Sequence, residues 1–167
     1  MNQVLHNFII KYSKKGLFID TNILLLFFVG TIGKNYITTF KRTEKFVIED
    51  YDLLLGFIDN FSKIITTPYV LTEVNSLANQ LPEHLKEKFY EVCYKFLESK
   101  LIEVYEPSIE ISKNKMFYKF GLTDTSIEIV CKNKFLILTD DFRLSNFFSN
   151  KNIDNINFNH IRPLNWK

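Results

Sequence analysis

Four short apolar runs constrain this chain more than anything else in it. Gly16 to Ile19, Lys63 to Thr66, Leu101 to Tyr105 and Lys134 to Leu138 are each too short for a helix and too continuously apolar for a half-solvated strand. The segments between them carry apolar residues at helical spacing, as at Leu53, Leu54, Phe57, Ile58 and Phe61. Buried strands alternating with helices predict an α/β fold, a central parallel sheet with helices on both faces. The Asn-rich stretch near Asn155 to Phe158 adds a fifth, edge strand, so four to five strands are expected. The predicted helices are Thr21 to Val29, Asp50 to Phe61, Pro68 to Asn79, Glu83 to Ser99, Ile109 to Phe120, Thr123 to Lys132 and Phe142 to Phe148. Thr67 and Thr123 are read as caps, and Gly121 as a helix stop. Residues 30–50 read as an irregular insertion in one domain spanning 1–167.

Composition narrows the function classes. Hydrophobic residues make up 46% and charged residues 24%, which excludes a disordered chain. The net charge of +2 neither identifies a nucleic-acid binder nor excludes one. Cys93 and Cys131 cannot build a disulfide scaffold. The longest apolar run, Ile23 to Val29, falls far short of the ~20 residues of a membrane span. The first residues lack the basic start and long apolar core of a signal peptide. No membrane partner and a cytoplasmic location are therefore expected.

In a parallel sheet the ligand site lies at the carboxyl ends of the strands. Asp20 ends the first run, in FIDTN, and Asp140 and Asp141 end the fourth, in ILTDD. Each also reads as a plain helix cap. Glu73 is harder to explain so. On a helix begun at Pro68 it lies about 60° from Val70, at the margin of the apolar stripe. Asp124 sits on the face of its helix that carries Ile127 and Cys131. No lysine or arginine stands at a helical offset that neutralises Glu73 or Asp124. Carboxylates converging on one edge repel one another, and a hard divalent cation, Mg²⁺ or Mn²⁺, relieves that repulsion. His6, His84 and His160 are too scattered for zinc.

FIDTN, TPYVLTEV, GLTDTSIEIV and ILTDDFRL, in that order, resemble the motifs of the PIN-domain nucleases, the family of the VapC-like toxins. The resemblance covers about residues 16–158, although the stretch 30–64 is longer than in the compact toxin members. It implies a catalytic and metal-binding set of Asp20, Glu73, Asp124 and Asp141, holding one or two Mg²⁺ or Mn²⁺ ions. Thr139 opens the T-x-D motif and Asn22 matches a small polar residue two past the first acid, both as residues that orient ligands or water. Asp140, in the middle of T-x-D, shares or replaces the role of Asp141, and the sequence does not choose between them. The implied activity is metal-dependent phosphodiester hydrolysis, usually of RNA. A toxin of this family is held by a small antitoxin protein.

Cations must meet the phosphates of such a substrate. Lys34, Lys41, Arg42 and Lys45 are interleaved with Tyr36, Phe40 and Phe46. Lys113, Lys115 and Lys119 precede Asp124, with Phe117 and Tyr118 among them. Aromatics among cations suit stacked bases, or are simply core beneath a solvated face. Arg143, Lys119 and Lys34 are the expected substrate contacts. The charged helix Glu83 to Lys100 has an apolar side that suits either the core or a homodimer surface. Gly30 to Lys34 lacks the spacing of a phosphate loop. Two other functions compete with the nuclease. A receiver-like phosphoacceptor needs paired acids at strand one, which offers only Asp20. A catalytically degenerate PIN fold would bind or scaffold nucleic acid without cutting it.

Overall fold

The computed structural model describes residues 3–165; the remaining residues of the domain expected over 1–167 lie outside the described ones. Leu17, Phe18 and Ile19 form β1 and are completely buried, so the run has no polar alternation. The other strands are β2 (Ile64–Thr66), β3 (Leu101–Glu103), β4 (Leu136–Thr139) and β5 (Asn155–Asn157). They form one sheet in the order β3-β2-β1-β4-β5, and every pairing is parallel. The fold class is thus the α/β sheet expected from the four runs, with the fifth strand at an edge.

The helices are α1 (Gln3–Tyr12), α2 (Thr21–Ile32), α3 (Ile48–Ile58), α4 (Pro68–Ala78), α5 (Glu83–Ser99), α6 (Ser108–Ser112), α7 (Phe117–Cys131), α8 (Phe142–Asn150) and α9 (Phe158–Ile161). No helix among the described residues is long and apolar enough to cross a membrane. Residues 23–30 of α2 are all buried, because α3, α4 and α5 pack around it. Phe27 and Phe28 meet Phe96 and Phe89 of α5 ring to ring. The apolar side of α5 therefore belongs to the core.

The chain steps from β1 to β2 to β3 in one direction, then crosses back past β1 to β4 and on to β5. Helix α2 packs against α3, α4 and α5, α6 packs against α7, and α7 meets α4. The winding reverses between β1 and β4, the place where a ligand crevice forms at the strands' carboxyl ends.

Several local expectations are corrected. Helix α1 was not expected at all; Leu5, Phe8, Ile9 and Tyr12 give it an apolar stripe against the core. The helix expected over Ile109 to Phe120 is two helices, with a break between Ser112 and Phe117. Gly121 stops a helical stretch as expected: α7 begins at Phe117, breaks at Gly121, whose φ of 78° and ψ of −169° are non-helical, and resumes through Thr123 to Cys131, although Thr123 makes no capping bond among the described residues. Residues 30–50 are irregular but not a solvated insertion. Gly30 to Ile32 continue α2, and Ile37, Phe40, Thr43 and Phe46 are buried. Phe40 and Phe46 are therefore core and cannot stack on bases.

Candidate active site

Asp20 leaves β1 with its backbone N–H still bonded to the carbonyl of Leu138 on β4, 3.0 Å away. That bond pins the carboxylate at the switch point. Its Oδ1 accepts the N–H of Thr21 at 2.7 Å, which caps α2, and its Oδ2 accepts the hydroxyl of Thr139 at 2.6 Å. The Thr139 hydroxyl in turn accepts the N–H of Asp141 at 3.1 Å. One threonine thus ties the end of β4 to the acid after β1. Burial pushes Asp20 up to about 6, and the charges of Asp140 and Glu73 add to the rise, against the two hydrogen bonds that oppose it.

Asp141 caps α8, its Oδ1 accepting the N–H of Leu144 at 3.0 Å. Both cap readings are therefore correct; each cap takes one carboxylate oxygen, and Thr139 takes the other oxygen of Asp20. The Oδ2 of Asp141 has no hydrogen bond among the described residues. Glu73 is exposed, contrary to the partial burial expected of it, yet it does face the edge: the Thr21 hydroxyl donates to its Oε2 at 3.1 Å. Asp124 stands three residues past the Gly121 kink, half-buried, with no hydrogen-bond partner among the described residues. Burial first, then the charges of Asp20, Glu73 and Asp141, push it up to about 7, while Arg143 pulls the other way. The four acids of the expected set therefore lie in one electrostatic field.

Asp140 has a different environment. Asn22 Nδ2 donates to its Oδ1 at 3.0 Å, Lys45 ion-pairs with its Oδ2, and Asn159 Nδ2 donates to its backbone carbonyl at 2.8 Å. Both carboxylate oxygens are engaged and the side chain is almost fully buried. Asn22 thus holds Asp140, and Lys45 neutralises it from a segment 95 residues away in sequence.

Of the expected substrate contacts, Arg143 lies nearest the acids. Its guanidinium stacks over Phe120 at 4.6 Å and donates to the Lys119 carbonyl at 3.0 Å. Lys119 is exposed beside it, its ammonium 5.3 Å from the same ring. Lys34 pairs with Asp52 at 2.5 Å beyond the far end of α2, roughly 18 Å of helix from Asp20. The structure does not bring it to the acidic edge.

Thr21 and Asn159 were missed in the sequence, and Lys45, read there as one of a basic cluster for phosphate, pairs with Asp140 instead. Thr21 carries a signal, a hydroxyl next to the first acid at the start of a helix. Asn159 comes from a distant segment and carries none.

Among the described residues, no three His, Cys, Asp or Glu side chains stand close enough to hold a metal ion as they are. The chemistry of the donors nevertheless fits a hard cation. Burial first, and neighbouring carboxylates after it, hold Asp20 and Asp124 above the usual carboxylate range, and Glu73 and Asp141 each keep an oxygen unbonded among the described residues. A scan against protein-family models finds no match, and searches of curated proteins and of solved structures find no similar chain.

Proposed function

We propose that the chain is a metal-dependent endoribonuclease of the PIN type, cutting single-stranded or structured RNA at this edge. What carries the reading is the uncompensated acidity at the switch point: two acids from neighbouring strands, a third tied in by Thr21 and a fourth half-buried without a partner. Asp20, Glu73, Asp124 and Asp141 would hold one or two Mg²⁺ or Mn²⁺ ions. Bound there, such an ion supplies a water acidified enough to attack phosphorus near neutral pH and offsets charge on the phosphate.

The protein's own groups have separate tasks. Thr139 holds the Asp20 carboxylate and fixes the start of α8 relative to it. Thr21 orients Glu73. Arg143, set by its stack on Phe120, offers a planar fork to a phosphate, with Lys119 beside it. Asp140 is a structural anion that anchors Lys45, leaving Asp141 as the better ligand of the pair. An antitoxin protein and a homodimer rest on the family resemblance alone.

A second reading is favoured by the spread of the acids: a degenerate fold that binds nucleic acid without cutting. One assay separates the two, cleavage of an end-labelled single-stranded RNA pool with Mg²⁺, Mn²⁺ or EDTA. The wild type cuts with metal and stops in EDTA, and Asp20→Asn is inactive though folded. Cleavage unchanged in a clean Asp20→Asn preparation removes the site assignment. Metal binding without cleavage favours the degenerate fold.

A further inference from the structure

The residue after Asp141 is an anomaly. Phe142 is 51% exposed in a chain that buries most of its phenylalanines. Its ring is not isolated: it meets the exposed imidazole of His160 at 5.4 Å between centroids, tilted by 55°. Phe142 opens α8 directly after β4, and His160 lies in α9 directly after β5. The pair therefore stands on the same carboxyl edge as the acids, on the β5 side.

Behind the pair lies a cavity of about 250 Å³. Val4, Leu5 and Phe8 of α1 form its apolar wall, and Ser145, Asn146 and Ser149 its α8 wall. These three stand three, four and seven residues past Phe142, so the exposed ring lies on the same face of α8, at the cavity's end rather than in its lining. His160 lines the cavity too, joining it to the aromatic pair. The floor is fixed, since Ser145 donates to Asn155 at 2.6 Å and Asn155 donates to Ser149 at 3.0 Å. The exposed Asn146 amide and the His160 ring nitrogens have no hydrogen bond among the described residues. The volume lies below the roughly 300–1,000 Å³ of drug-sized pockets, as expected for a site that takes a single small ring system.

We infer that Phe142 and His160 form a stacking platform, with Asn146 as its hydrogen-bonding reader, for one base of single-stranded RNA next to the scissile phosphate. The occupant is argued from position and chemistry. A nucleotide whose phosphate would be held by a cation on the acids and by Arg143 carries a planar base within reach of the residue that follows Asp141, and an exposed aromatic face is what a base stacks on. Asn146 offers both a donor and an acceptor to the base edge. The inference rests on the nuclease reading for the identity of the strand.

The test is fluorescence anisotropy of 5′-labelled hexanucleotides of U, C, A and G with the full chain, with Ca²⁺ in place of Mg²⁺ or Mn²⁺ and strand integrity checked by gel. The wild type binds one of the four more tightly than the rest. Phe142→Ala weakens that binding roughly tenfold or more, while Phe142→Trp keeps it. Asn146→Ala, at an exposed position that cannot cost the fold, levels the differences among the four. Unchanged binding by Phe142→Ala overturns the platform, as does a wild type that binds none of the four strands. The nuclease reading fails separately: strands bound through Phe142 yet never cut with Mn²⁺ leave the subsite standing and remove the enzyme.

Discussion

Thr139 does two jobs with one hydroxyl, donating to the buried Asp20 and accepting from the backbone of Asp141. Thr139→Val keeps the shape and deletes both bonds. It leaves a buried carboxylate short of a donor, so the expected loss is about 1–3 kcal/mol in urea unfolding at neutral pH. A stability unchanged within error contradicts this role. Lys45 is the other residue whose removal strands a charge. Lys45→Met should destabilise by about 1–3 kcal/mol, discounted from a fully buried pair because the lysine is half-exposed. Adding Asp140→Asn should recover most of the loss. The sequence marks Thr139 within a recognisable string, whereas nothing in the sequence near Asp140 points to Lys45. Pairs made across 95 residues depend on how the segment 33–47 folds back, which periodicity does not reveal.

At the scale of elements, α2 shows why one glycine is fixed. A Cβ on Gly30 would sit 2.2 Å from the Tyr51 ring of α3, a rigid group with no room to yield. Gly30→Ala should cost roughly 1–3 kcal/mol by overpacking, read as a lowered melting temperature. Gly56, with open space around it, is the control position. Strands β1, β2 and β4 were legible because burial on both faces leaves an unbroken apolar run, whereas the edge strand β3 is largely exposed, against the burial expected of it. The glycine break at 121 was legible too, but the break at 113–116 between α6 and α7 was not, because it answers to packing and local turn geometry rather than to hydrophobic period. The kink matters for the site, since it separates the first turn of α7 from the part that carries Asp124. Arg143 bridges the two by stacking on Phe120 before the kink while its charge acts on Asp124 after it.

For the whole molecule, the acidic edge sets the pH dependence. Asp20 and Asp124 bind protons more tightly folded, at about 6 and about 7, than at their ordinary value of 3.8. As pH rises from about 4 to about 7 the unfolded chain gives up protons that the folded chain retains, so these groups lower stability with rising pH. In EDTA the protein should therefore gain thermal stability on going from pH 8 to pH 5. A divalent cation that binds the ionised carboxylates reverses the trend, so Mn²⁺ should raise the melting temperature far more at pH 8 than at pH 5. Calorimetric melts at both pH values check the pair of claims. The position of Asp20 and Asp141 at the switch point was legible from strand ends, and that of Glu73 and Asp124 only from helical spacing and the resemblance. Their neutral or charged fate was not, because it depends on burial and on the separation of groups from four different elements.

The most direct measurement is an isothermal titration of Mn²⁺ into the metal-free protein at pH 7.5, wild type beside the double variant Asp20→Asn, Asp124→Asn. The wild type should bind one or two ions with release of protons, and the double variant, still folded by circular dichroism, should bind none. A wild type that takes up no Mn²⁺, or a double variant that binds as the wild type does, contradicts the claim that these carboxylates form a cation site.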